Sequence, residues 1–584
     1  MTARARRAPA RAGGRQGAER AFPHRVPAER AWVGALLVAH LALALWGVAA
    51  NSVTFDENFH LPAGVMILTR GDYSVSLAQP PLLKSLCALA ALGAGARTPV
   101  LPALPPNSER AVGEAFMRLN AAHYIRVFTA ARLPVVALSL LLALLVWRFA
   151  RRLYGPRGAL VALGLYAFAP EALAHAGVVG MDLATALGFT ASLYAFWRFA
   201  RDGSWRWLLL TALAVGLSLL TRFSALQLAP ILIALALVGT LAGRLRRPGR
   251  VWLGLALMPL VALLLLQLAY RGQCSFAPLA RWSFLSPGFQ HLREQFPWLR
   301  LPLPDAAIAG LDYLAMLSKP GGTTTYLLGR GVPHTYWYYF PLALLFKWPL
   351  GFLGALAARA GLALRVPAGP RRRWNEAFLL IPVAVLLFVA MFLTRLDVGI
   401  RYLLPILPLL CVWCGGLALP AARAAVARRR ELARWALAGW LLVGAGAVET
   451  AFAAPRYLSF FNRFAGGPGG GDRLINDSNV DWGQGLIALR HEMKTLGIRR
   501  ILLAYHGTTD PALYGIDYVP YMGGRPGPEH EWLAVSSFYF VGLSQRMMTP
   551  RGSTTDALLL DFRALWGVPP VARPAGCMYL FRLR

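Results

Sequence analysis

The sequence predicts a polytopic α-helical membrane protein of about eleven transmembrane helices, carrying a small C-terminal α/β extracytoplasmic domain. Three features predict it. Hydrophobic residues make up 57% of the chain against 15% charged. Uninterrupted apolar runs of about 20 residues recur, the length needed to cross a bilayer. The formal charge of +33 sits in short arginine clusters between those runs. Cations so placed report topology; a nucleic-acid surface would instead string them along one face with interleaved aromatics.

Taken in order, the Arg-rich tail 1–30 reads as cytoplasmic. The apolar run 31–50 ends in Val48, Ala49 and Ala50, which resemble a signal-peptide cleavage site, but its core is longer than the roughly 7–15 residues such segments use, so it reads as an anchor. Further helices are expected near 128–148, 157–174, 181–199, 206–220, 223–242, 251–270, 337–358, 376–394, 400–420 and 435–453, making up a transmembrane unit 31–453. Each connection expected inside (148–157, 198–206, 244–250, 359–373 and 423–434) is basic, as the positive-inside rule requires. Three pieces then face outward: loops 51–126 and 271–336, and a tail 454–584. Within the first loop, 80–95 is too short and too interrupted by Lys84 to span, and reads as a helix in the interface. In the second loop, Gly321, Gly322 and Thr323–Thr325 suit a mobile cover that excludes water.

The tail differs in pattern. A strand is expected over 473–477, then the loop SNVDWGQ, a helix over 485–496, a stop at Gly497 and a strand over 500–505, a βαβ pattern with Asp477 and Asp481 on its ligand-facing crest. Runs at 532–541 and 577–583 add strands. The glycines of 466–471 precede the strand and so read as a linker, not a dinucleotide fingerprint.

Candidate chemistry gathers at outer helix ends. Asp56 and Glu57 follow the first helix in NSVTFDENFH; with a helix starting at Thr54, Asp56 and His60 lie four apart on one face, an arrangement for proton transfer. A capping box from Thr54 to Glu57 accounts for Glu57 and leaves Asp56 unexplained. Of sixty Lys and Arg only four are lysine, Lys84, Lys319, Lys347 and Lys494. Lys84, after two prolines, can meet a phosphate headgroup or snorkel. Lys347 is expected about 12 Å below an aromatic belt, where an ionisable group needs a cavity or partner; it or Arg401 is expected, with Lys84, to stabilise charge developing on a leaving carrier phosphate. Asp182 opens a helix with His175 nearby, a position the helix dipole favours in any case. Arg401 and Tyr402 mark another outer helix end, as interfacial anchors or phosphate contacts. No cluster has dedicated metal-ligand spacing, though Asp56 and Asp182 can share a divalent cation. Among five cysteines, Cys411 and Cys414 lie inside an apolar helix and read as packing. Cys274 and Cys577 both face outward, where a disulfide is compatible but not demanded.

FDENFH with GDY and QPPLLK, VVGMD opening a helix, WYYFPLALLFK, GIRYLLPILP and DSNVDWGQ, in this order along nearly the whole chain, resemble the lipid-carrier-dependent glycosyltransferases of the GT-C superfamily, with the protein O-mannosyltransferases and the lipid A aminoarabinose transferase nearest in feel. The resemblance implies an inverting enzyme that moves a sugar from a polyprenyl-phosphate carrier to an acceptor on the outer face of a membrane. It implies that Asp56 serves as base or acceptor-positioning group, with Glu57 beside it. Lys84 would hold carrier phosphate, and Asp182 would match the helix-opening aspartate of the second outer loop. Gln79 stands where the mannosyltransferases usually have histidine, and their luminal repeat domain is missing, which leaves glycolipid, envelope glycan and protein open as acceptors. The arginine and alanine bias points to a GC-rich bacterium, hence an inner-membrane location with the tail periplasmic. A transporter or lipid flippase is the rival reading, but no second copy of the DE-loop pattern appears in the later half, as inverted repeats would require.

Overall fold

The computed structural model describes residues 28–318, 325–332, 334–394, 396–419, 426–521, 529–543 and 562–583. The proposed cover residues Gly321–Thr324 lie outside the described residues, as does nearly all of the basic tail.

The chain is a multi-pass helical bundle. Six of its described helices are long and apolar enough to cross a membrane, or eight when each of two sharply bent pairs counts as one span. The expected segments are all helical, but several are broken or short, so the count of about eleven is not reached by length. The helix Trp205–Leu219 has 15 residues, about 22 Å at the usual rise. The expected helices 128–148 and 157–174 merge into Tyr124–Ala167, kinked at Gly155, whose φ of 83° suits glycine and which precedes Pro156. Pro170–Ala176 then meets Met181–Asp202 at 117°.

The expected single helix 337–358 is two helices, Tyr339–Lys347 and Leu350–Arg365, bent by 114°. Pro349 is the cause: it lacks a backbone donor and pushes Trp348 into the extended region, ψ 141°. Lys347 is therefore the last residue of a nine-residue helix and not a mid-helix group.

Two short helices of the first loop, Glu57–Arg70 and Pro81–Gly93, carry His60 and Lys84 and pack on each other. Pro81–Gly93 buries Leu83, Lys84, Cys87 and Ala91 and leaves Leu86 and Leu89 exposed, the one-sided burial expected of an interfacial helix. It packs on Glu57–Arg70 at Gly64, where an added Cβ would lie 2.2 Å from the Lys84 carbonyl oxygen. Only glycine permits that approach, and it brings Lys84 beside the helix that starts at the DE pair.

A hairpin pairs β1 (Thr325–Leu327) with β2 (Arg330–Val332). The C-terminal region holds the helix Leu486–Thr495 and strands β3 (Ile501–Ala504), β4 (Tyr518–Pro520), β5 (Trp532–Ser536) and β6 (Met578–Arg582). They form one sheet in the order β4-β3-β5-β6, with β3 parallel to β4 and β5, and β6 antiparallel to β5. The expected strand 473–477 is instead a run of 3₁₀ turns, and only Ile475 makes a bridge, to Leu327. Local side-chain bonds explain the difference: Asn476 Oδ1 accepts from the Asp477 amide at 2.8 Å and Asp477 Oδ1 from the Ser478 amide at 2.5 Å, which competes with ladder formation. All five cysteines are free; Cys274 donates to the Leu303 carbonyl, so the outward pair forms no disulfide.

Candidate active site

The helix after the DE pair starts at Glu57, not Thr54, with Asp56 at its N-cap position and no capping bond from the Asp56 side chain. That frees the Asp56 carboxylate. Its Oδ2 accepts from Arg401 Nη1 at 2.8 Å, and the side chain keeps 26% of its exposure. His60 follows one turn later, as the i, i+4 spacing predicts. Burial lowers its imidazole to about 4, opposed first by the charge of Asp56, so the ring is neutral near pH 7.

Glu57 has another fate. Its side chain is fully buried, and Arg132 grips both oxygens, Nε to Oε1 at 2.8 Å and Nη2 to Oε2 at 2.6 Å. The Thr54 amide and hydroxyl also donate to Oε2, and the Val179 amide to Oε1. Arg132 spends its remaining donors on the carbonyls of Val48, Asn51 and Ser52. The capping interaction is real, but a buried ion pair dominates it. The expectation that Glu57 shares the chemistry of Asp56 is thus corrected: it braces the loop that presents Asp56.

Asp182, in the first turn of its helix, is paired with Arg222. The Arg222 guanidinium lies over the Tyr402 ring at 4.6 Å, and Arg401 approaches the same ring at 5.6 Å while stacking on Trp482 at 4.3 Å. Two aspartate–arginine pairs therefore flank one tyrosine.

Lys84 is buried, with Nζ donating to the Ser76 carbonyl at 2.8 Å. It lines a small cleft with Tyr73, Ser76, Gln79 and Tyr270. Burial lowers its ammonium to about 8, against the opposing charge of Glu109. Behind burial, the charges of Asp56 and Asp182 raise the His60 imidazole while those of Lys84 and Arg401 lower it. Asp477 joins them: burial raises its carboxyl to about 6, and it feels both Arg401 and Asp56.

Lys347 does not belong to this group. Its ammonium donates to the carbonyls of Leu458 at 2.8 Å and Asn479 at 2.7 Å and lies 3.4 Å from Glu171 Oε1, so its three donors are committed within the fold. The expectation that Lys347 contacts a carrier phosphate is corrected on that ground.

Among the described residues no group of three or more His, Cys, Asp or Glu side chains is arranged to hold a metal ion. Asp56 and Asp182, the pair considered for a shared cation, each face a guanidinium. Sequence reasoning missed Arg132, Arg222 and Trp482. The signal for Arg132 was present: a lone arginine inside an apolar run demands a buried partner.

Residues 112–266 match the family model described as dolichyl-phosphate-mannose-protein mannosyltransferase. No curated protein matches the chain. Among solved structures, ArnT from Cupriavidus metallidurans in the apo state is 14% identical, with 95% of this chain and 98% of that chain covered at a TM-score of 0.46. The same protein bound to undecaprenyl phosphate gives 14%, 94%, 97% and 0.43. The oligosaccharyltransferase AglB from Archaeoglobus fulgidus, in complex with an inhibitory peptide and a dolichol-phosphate, gives 14%, 88%, 71% and 0.46.

Proposed function

We propose that this chain is a membrane-embedded inverting glycosyltransferase, which moves a sugar from a polyprenyl-phosphate carrier to an acceptor hydroxyl or amine on the outer face of a bacterial plasma membrane. The observation that carries this reading is the partly exposed Asp56 carboxylate, held by Arg401 at 2.8 Å beside the Asp182–Arg222 pair, with both guanidiniums on the Tyr402 ring. The family-model match over 112–266 and the motif order along the chain support it.

Phosphate leaves an anomeric carbon readily once a cation neutralises it, so the demanding tasks are charge stabilisation and deprotonation of the acceptor. The acceptor oxygen or nitrogen attacks the anomeric carbon from the face opposite the phosphate. The bond from carbon to phosphate oxygen breaks with its electron pair going to the phosphate, and the acceptor proton passes to Asp56. Lys84 meets the developing phosphate charge as a compact cation. Arg401 fixes the orientation of the Asp56 carboxylate through its 2.8 Å hydrogen bond and, with Arg222, keeps positive potential over the reacting region. On this reading the two guanidiniums provide the positive charge that a divalent cation shared by Asp56 and Asp182 would bring.

The test uses membranes bearing the full chain and, as donor, the carrier-linked sugar lipids extracted from cells deleted for the gene. Asp56→Asn abolishes transfer while carrier binding and thermal stability stay near wild type. Unchanged turnover in that variant would remove Asp56 from the chemistry, and absence of transfer by the wild type would remove the enzyme reading.

A further inference from the structure

The residues that form the Asp56–Arg401 pair lie 345 positions apart in the chain. They sit at the ends of different helices, and one short stretch of the C-terminal region touches both. On one side, Ser478 Oγ donates to the Val398 carbonyl at 2.6 Å, and Asn479 Oδ1 accepts from the Ile400 amide at 2.9 Å. These bonds fix the turn that ends in Arg401. The fit is close: a Cβ on Gly399 would stand 2.4 Å from Ser478 Oγ.

On the other side, the extended segment leading to Asp56 is laced to the same stretch. The Phe55 amide donates to the Trp482 carbonyl at 2.7 Å and the Ser52 amide to the Gln484 carbonyl at 3.1 Å. Ser52 Oγ donates to the Gly483 carbonyl at 2.9 Å and accepts from the Leu486 amide at 3.1 Å. Between the two grips, the Trp482 indole lies under the Arg401 guanidinium, 4.3 Å from its carbon, while Gln484 holds the tryptophan's own backbone through its amide at 2.7 Å. Ser478, Asn479, Trp482 and Gln484 are all buried.

Resting on the functional reading above, we propose that residues 478–484 act as a splint for the reacting ion pair, with Trp482 and Ser478 as positioning residues that hold Arg401 against Asp56. The C-terminal region is then part of the catalytic apparatus and not an appended acceptor-binding module. A carboxylate misplaced by even 1 Å loses much of its use in proton transfer, because reacting groups must stay within hydrogen-bond reach. The indole matters for a second reason. A planar guanidinium stacks on it in one orientation, whereas a free arginine side chain samples many.

The test compares full-length wild type with Trp482→Phe and Ser478→Ala, each also combined with Arg401→Lys, in reconstituted membranes with the extracted donor lipids. Trp482→Phe is expected to lower kcat about tenfold, and Ser478→Ala about threefold, with the half-saturating donor concentration changed less than twofold. In the Arg401→Lys background both effects shrink toward nothing, because an ammonium gains little from the stacking platform. Ser478→Ala removes one hydroxyl and keeps the inference testable should Trp482→Phe fail to fold. Wild-type kcat in the variants, or losses that simply add to that of Arg401→Lys, would overturn the splint. Asp56→Asn measured alongside separates the two failures. If it is inactive while the splint variants are silent, only this inference falls; if it is active, the role given to Asp56 falls and the splint with it.

Discussion

Glu57→Gln tests whether the second carboxylate of the DE pair braces the fold or does chemistry. In the structure Glu57 is fully buried and takes two bonds from Arg132, two from Thr54 and one from the Val179 amide. Removing one member of a buried pair strands the other charge and costs about 3–5 kcal/mol. Glutamine keeps one acceptor oxygen, so the expected loss is near the low end, about 3 kcal/mol, or roughly a hundredfold in the folding equilibrium. Thermal melts of the purified full chain in detergent read that loss directly. The double variant Glu57→Gln with Arg132→Met removes the stranded charge and is expected to recover most of the stability and a measurable part of the transfer activity. A single variant that melts like wild type and has lost transfer would refute this reasoning and return Glu57 to the chemistry.

Other expectations follow from the same geometry. Because burial lowers Lys84 to about 8, its ammonium is present below that pH and given up above it. Binding of the proposed polyprenyl-phosphate carrier lipid, followed by native mass spectrometry, should therefore weaken as pH rises through about 8, whereas Lys84→Arg should show no such loss because guanidinium stays charged; an identical pH dependence in both proteins would exclude Lys84 as the contact. Lys347→Met should destabilise by about 3–5 kcal/mol, since it strands Glu171, yet leave carrier affinity intact in the folded fraction; weaker binding without a lower melting temperature would restore Lys347 to the site. Asp182→Asn and Arg222→Ala should each slow transfer, and together no more than either alone, because they break one pair; additive losses would mean separate roles.

Much of the architecture was legible from composition and arginine placement, because the cost of exposing polar backbone or charge to lipid leaves few solutions. Helix positions followed from run length, and Asp56, Asp182, Arg401 and Tyr402, singled out at helix ends, come together with Arg222 in the fold. The short helix with Lys84 was readable from two prolines and a broken apolar run. Continuity was not. Pro349 turns one apparent helix into two, and Asn476 and Asp477 hold with side-chain bonds a stretch that reads as a strand.

The roles of individual charges were decided only by the fold. Glu57 and Asp56 are neighbours in the chain with the same functional group, yet one is fully buried against Arg132 and the other faces Arg401 and stays partly exposed. Lys84 and Lys347 look alike as rare buried lysines, but one lines a cleft and the other is saturated by Leu458, Asn479 and Glu171. The sequence determined which residues are costly to place in or near a membrane, since that cost depends on residue type and local pattern. Which partner repays each cost depends on contacts between residues tens to hundreds of positions apart, and these exist only once the chain has folded.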